Sequence, residues 1–208
     1  MKTYAKYLVE FLGTFALTFV VALSLAGSFP VPTPVLAALT LGLFVYTVGH
    51  ISGTHINPAI TLGALSIGKI KFMDAVAYWI AQFAGAGLAC LVSAQLVERT
   101  VLATFLDPAL GMVVVEPMVL LAEALGAFFF AFGVAAVVYG RVPKDLSGVA
   151  VGGSLLMGIS IAASLSNGVL NPAVALGIGS FSFAYLVGPM LGAVLGMWAY
   201  KLLSQEKN

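Results

Sequence analysis

Charge is nearly missing from this chain: nine Lys and Arg and eight Asp and Glu are spread over 208 residues, and the formal net charge is only +1. So small a balance gives no reason to invoke a nucleic-acid partner. With 61% hydrophobic residues there is too little polar material to cover a globule of this size in water, which places the chain in a bilayer among membrane lipids. Cysteine is down to Cys90 alone, in the middle of an apolar stretch, so there is no disulfide framework and the thiol is read as packing. There are two histidines, and neither a metal-spaced His/Cys cluster, a nucleophile–base pair nor a phosphate-binding glycine loop is visible. An enzyme is disfavoured, and neither a metal nor a cofactor is expected.

What the chain does have is long apolar runs. A helix needs about 20 residues to cross about 30 Å of hydrocarbon, and six stretches near that length read as spans: 4–26, 35–50, 74–97, 117–139, 147–165 and 181–203. Two further apolar pieces, 57–67 and 171–178, are too short to cross and read as re-entrant half-helices. The expected fold is an all-α membrane protein, a single transmembrane domain over 1–208. A cleaved signal peptide at the N-terminus would put Glu10 in its apolar core, and the segment has a counterpart in the second half that could not be a signal. With the N-terminus inside, Lys2, Lys6, Lys69, Lys71, Arg141, Lys144, Lys201 and Lys207 fall on the inner side and Arg99 alone outside, the bias that puts both termini in the cytoplasm.

The chain repeats itself. Asn57-Pro58-Ala59 and Asn171-Pro172-Ala173 follow Glu10 and Glu123 by 47 and 48 residues. Glu10-Phe-Leu-Gly13 matches Glu123-Ala-Leu-Gly126, and Gln82-Phe-Ala-Gly85-Ala86 matches Pro189-Met-Leu-Gly192-Ala193. Three landmarks in one order define halves of about 1–100 and 115–208, joined by 98–116. Each half holds an odd number of spans, so the second is inverted and the two half-helices meet tip to tip at mid-membrane. Asn is a good N-cap and Pro suits the first helical position, so each motif starts a helix whose positive end sits at the membrane centre. The preceding loops, with Gly53, Thr54, His55 and Ile56 in one half and Asn167, Gly168, Val169 and Leu170 in the other, are extended backbone tolerable at that depth only beside a water-filled cavity. Their carbonyls form a ladder of acceptors, and the Asn57 and Asn171 amides offer donors to whatever passes. Gly188, Gly192 and Gly196, with Gly85 and Gly87 in the third span, are expected to let helices approach closely.

These residues resemble the aquaporin and glycerol-facilitator (major intrinsic protein) family. Gly49-His50-Ile51-Ser52-Gly53-Thr54-His55-Ile56-Asn57-Pro58-Ala59-Ile60-Thr61 is similar to its first signature and Asn171-Pro172-Ala173 to its second, and the likeness runs over nearly the whole chain. It implies a right-handed six-helix bundle with one pore per subunit, a homotetramer, and a passive channel for water or small neutral solutes, in a prokaryotic plasma membrane. It also implies that Glu10 and Glu123 anchor the re-entrant loops rather than relay protons. By position, His50 is a packing or loop-anchoring residue, and His55, two residues before Asn57, is a pore-lining donor near the inner mouth.

The departures concern selectivity. Where the family's second motif usually continues with arginine, this chain has Val174; where glycerol channels commonly follow with aspartate, it has Ala175. The remaining constriction positions align with Ala37, Ile159 and Gly168, and the connection from Asn171 to Pro189 is short. Together these imply a wide, apolar outer filter that passes solutes larger than water: polyols, urea, ammonia or undissociated metalloid acids. Three rival readings stand beside it: a strictly water-selective aquaporin, a secondary transporter of similar repeat architecture, which would need coupling-ion ligands beyond the two glutamates, and a closed membrane-junction protein.

Overall fold

In the computed structural model of the protein, residues 4–27, 29–96 and 116–205 are described; Lys2, Arg99, Lys207 and most of the connecting segment lie outside them. Six helices are long and apolar enough to span a membrane, the fifth when its leading 3₁₀ turn is included. They are α1 (Ala5–Ala26), α2 (Thr33–Ser52), α4 (Phe72–Leu96), α5 (Pro117–Val138), α6 (Ser147–Ala162) and α8 (Phe183–Leu203); α3 (Pro58–Ser66) and α7 (Pro172–Gly177) are the half-helices, and Lys144–Leu146 is the 3₁₀ turn before α6. All eight α-helices match expected segments. The main differences are at ends: α2 begins two residues early because Pro34 fits the first turn, where its missing N–H is not needed, and α6 stops at Ala162.

The halves pack in the same way. α1 lies against α4 and α2, α5 against α8 and α6, and α2 closes on α6; each half-helix packs on the last helix of the other half, α3 on α8 and α7 on α4. Close approach is set by missing side chains. A Cβ on Gly85 would collide with the Phe11 carbonyl, and those on Gly192 and Gly196 with the carbonyls of Ala124 and Phe128. Gly87 does not belong with them, since open space lies where its Cβ would be. Outward residues such as Leu8, Leu12, Ile80, Leu91, Leu191 and Leu195 are exposed, a surface suited to hydrocarbon.

The described cations gather at one end. Lys6 pairs with Asp74 at 2.8 Å, and Lys69 sits 4.2 Å over the Tyr139 ring, which stacks on Tyr200 beside Lys201; Lys71, Arg141 and Lys144 lie on the connections at this same end. This is the basic face, and α3 runs toward it from the centre while α7 runs the opposite way.

Candidate functional site

The half-helices meet through a reciprocal clasp. Asn57 caps α3 by accepting from the Ala59 N–H at 2.8 Å, while its Nδ2 donates to the Leu170 carbonyl at 2.9 Å. Asn171 caps α7 through the N–H groups of Ala173 and Val174 at 3.1 and 3.3 Å, and its Nδ2 donates to the Ile56 carbonyl at 3.0 Å. An amide nitrogen carries two hydrogens, so each asparagine keeps one N–H for the cavity both line. Two rungs of the expected carbonyl ladder, Ile56 and Leu170, are thus occupied by protein.

The loops carry strain. Thr54 and Ile56 have φ of 49° and 38°, and the matching Gly168 and Leu170 have 62° and 55°. For Thr54, Ile56 and Leu170 such values are uncommon and cost of order 1–3 kcal/mol each, whereas glycine at 168 adopts them freely. Two buried carboxylates hold them in place. Glu10 accepts from Ser52 Oγ (2.7 Å), the His55 N–H (2.9 Å), the Ile56 N–H (2.6 Å) and Gln82 Nε2 (2.8 Å). Glu123 accepts from Ser166 Oγ (2.7 Å) and the N–H groups of Val169 (2.9 Å) and Leu170 (2.7 Å). Ser52 and Ser166 in turn accept from the Thr54 and Gly168 N–H groups. Carboxylates so occupied have little left with which to bind a coupling ion, which removes the support for a secondary transporter.

Ile56 borders the wide cavity, as expected, although its side chain packs away from the lumen; Leu170, expected to line the pore too, borders neither cavity. Each is fully buried, Ile56 against Gly13 and Leu170 between Gly126 and Gly158. The other loop residues divide between two spaces. Asn167, Gly168 and Val169 line a wide cavity of about 670 Å³ that also includes all four constriction positions, Ala37, Ile159, Gly168 and Val174. Gly53 and Thr54 line a narrow one of about 50 Å³ on the basic side. His55 borders both; its Nδ1 lies 3.1 Å from Thr61 Oγ1, which also receives a Gln82 Nε2 hydrogen bond at 2.9 Å. Pro58, Ala59, Pro172 and Ala173 are buried around the clasp, the Pro58 carbonyl accepting from Trp79 Nε1 at 3.1 Å.

Two apolar residues that sequence reasoning did not single out, Leu41 and Phe130, border both cavities with His55. The repeat could have found more. Carried across the pseudo-twofold, Ala37, Ile159, Gly168 and Val174 become Val151, Val45, Thr54 and Ile60, and all four of these line the narrow cavity. Among the described residues no group of three or more His, Cys, Asp or Glu is placed to hold a metal.

The profile of the family described as Major intrinsic protein matches residues 1–200. The chain belongs to this family. Relatives include Aquaporin NIP1-1 of Arabidopsis thaliana, 32% identical with 94% of this chain and 72% of that protein covered. Glycerol uptake facilitator protein-like 6 of Lactiplantibacillus plantarum is 32% identical, with 97% of this chain and 99% of that protein covered. Aquaporin AqpM of Methanothermobacter thermautotrophicus is 30% identical, with coverages of 97% and 98%. In fold the chain is similar to the aquaglyceroporin from Plasmodium falciparum, with a TM-score of 0.61 at 18% identity over 98% of this chain and 96% of that one. As a major intrinsic protein with aquaporin and glycerol-facilitator relatives, it is a passive channel for water and small solutes.

Proposed function

We propose that the channel conducts small neutral solutes as well as water and excludes cations at its centre. The observation that carries this reading is the cavity outside the clasp: about 670 Å³, walled by Ala37, Ile159 and Val174, with the Asn57 and Asn171 amides at its floor. At the floor, a neutral polar molecule can exchange water partners for the two remaining amide N–H groups. A cation meets the positive ends of two helices, each equivalent to about half an elementary charge at most, where water is scarce enough for that charge to matter. With valine at position 174 no guanidinium obstructs the mouth, so polyols, urea, ammonia and undissociated metalloid acids are the candidate cargo; one relative is named for glycerol uptake. The narrow cavity beyond the clasp favours a second reading, strict water selectivity.

The remaining features of the reading are a homotetramer in a prokaryotic plasma membrane with the basic face cytoplasmic. The gathering of Lys6, Lys69, Lys71, Arg141, Lys144 and Lys201 supports that orientation. Stopped-flow light scattering on proteoliposomes tests the whole: glycerol and urea should equilibrate faster than in protein-free vesicles, with no ion gradient imposed. Exclusion of every solute but water would establish the second reading, and uphill accumulation driven by protons or sodium would remove the channel from this class.

A further inference from the structure

A pore selects among solutes where its lined space is tightest, and here the smaller of the two lined spaces lies on the basic side rather than around Val174. Ala37, Ile159, Gly168 and Val174 border the 670 Å³ cavity. Their counterparts across the pseudo-twofold, Val151, Val45, Thr54 and Ile60, border one of about 50 Å³. Three of those four exchanges add carbon on the basic side: Ala37 to Val151, Gly168 to Thr54, and Val174 to Ile60. A fourth enlargement lies between the rings, where Leu17 of α1 is matched by Phe130 of α5. Phe130 is 2% exposed and, with Leu41 and His55, belongs to the walls of both cavities, so these three residues stand where the wide space gives way to the narrow one.

We infer that selection among solutes takes place in this inner segment, with Phe130, Ile60 and Val151 as its specificity-determining side chains. The inference rests on the channel reading above and adds the location and chemistry of the filter. Its walls are unequal. Val45, Ile60, Val134, Val137 and Val151 supply hydrocarbon, whereas polar groups come from His55 and the loop at Gly53 and Thr54. A lumen with one polar edge and an apolar remainder favours a slender solute whose hydrogen-bonding groups lie along one side, and it penalises any that must keep water all round. Bulk at Phe130 then limits the cross-section.

The residues that the wide half already tolerates supply the test. Phe130→Leu, Ile60→Val and Val151→Ala, made singly and together, give three positions of the narrow side the residues of the other and remove only a few carbons from each site. In a hydrophobic site one methylene is worth about tenfold in discrimination. The triple variant should therefore raise the ratio of glycerol to water permeability in proteoliposomes by about tenfold, and erythritol should follow. Ile159→Ala and Val174→Ala, which enlarge the ring around Val174, should shift that ratio less. The reverse order, with the ring variants dominant, overturns the inference while leaving the channel reading intact. Loss of all facilitated flux in the unmodified protein would instead overturn the channel reading. A monodisperse elution profile and an unchanged melting transition show that each variant is folded, and Phe130→Leu alone gives the same ordering if the triple variant is not.

Discussion

Around Glu10 the channel is narrow and the buried loop anchor carries an extra polar network; around Glu123 the channel is wide and the anchor lacks that network. Glu10 accepts a fourth hydrogen bond from Gln82, which reaches on to Thr61 and through it to His55 at the lumen. At the matching positions of the second half stand Pro189, Ala175 and Val169, none of which has a polar side chain. The tyrosines differ in sense as well: Tyr78 donates its hydroxyl proton to the Ser52 carbonyl at 2.7 Å, whereas the Tyr185 oxygen accepts from the Asn167 N–H at 2.9 Å. Yet the strained φ values and the asparagine clasp are nearly the same in both. The re-entrant fold therefore requires a carboxylate, a serine and an asparagine in each half, and what surrounds them is free to set width and polarity.

The sharpest way to break this comparison is to remove one carboxylate at a time. Glu10→Ala leaves the N–H groups of His55 and Ile56 and the Gln82 amide without their acceptor, and each buried donor so stranded costs about 1–3 kcal/mol. Glu123→Ala strands the N–H groups of Val169 and Leu170 and no side-chain amide. Both variants should lose facilitated flux, and Glu10→Ala should melt lower. Buried Cys90 makes thiol labelling during a thermal ramp the natural readout. Equal melting temperatures would mean that Gln82 adds nothing to the inner anchor.

The next largest effect concerns the one feature the halves share. Asp in place of both Asn57 and Asn171 can still cap the half-helices, but it cannot donate to Leu170 and Ile56, and it turns two amides into negative charges at the centre. Cation and proton leak, followed with a pH-sensitive dye trapped in vesicles, should rise strongly. The single variants should each do less, and indifference of the double variant would show that the barrier to ions lies elsewhere.

How much of this could be read from the sequence follows the reach of each interaction. The spans and the half-helices were legible because apolar run length and matched motifs are local signals, and the anchoring role of the two glutamates was implied by the family resemblance. The direction of Ile56 and Leu170 was not, since it depends on a φ sign set by bonds to glutamates 46 and 47 residues away. The clasp was equally hidden, because its bonds join residues 113 and 115 apart. Leu41 and Phe130 were missed for another reason: a leucine or phenylalanine facing a lumen looks, in sequence, like one facing lipid or core.

A milder change sharpens the contrast in width. Val174→Arg puts a guanidinium into the wide cavity and so makes the outer half the narrower for larger solutes. Glycerol flux should fall severalfold, water flux should fall less, and proton leak should change little, because the central barrier is untouched. If Val174→Arg instead abolished a large proton conductance of the unmodified channel, the paired helix ends would be inadequate by themselves.

The smallest expected effect comes from giving the second half what the first has. Pro189 sits inside α8, where it lacks the N–H that would close a helical hydrogen bond, and it occupies the position from which Gln82 reaches Glu10. The register of the two helices is the same: Gly85 and Gly192 face equivalent carbonyls of α1 and α5, and Tyr78 and Tyr185 meet equivalent loops. Pro189→Gln therefore restores the backbone donor and places an amide beside Glu123, whose Oε2 receives the Leu170 N–H but no amide like that of Gln82. One of the new amide hydrogens would face Ala175 rather than a threonine hydroxyl, so the gain should be partial, about 0.5–1.5 kcal/mol for the one hydrogen bond formed. Adding Ala175→Thr supplies the missing acceptor and should raise the gain further. Melting temperatures of the single and double variants measure both steps, and a double variant no more stable than the single would mean that the second half cannot host the polar network of the first.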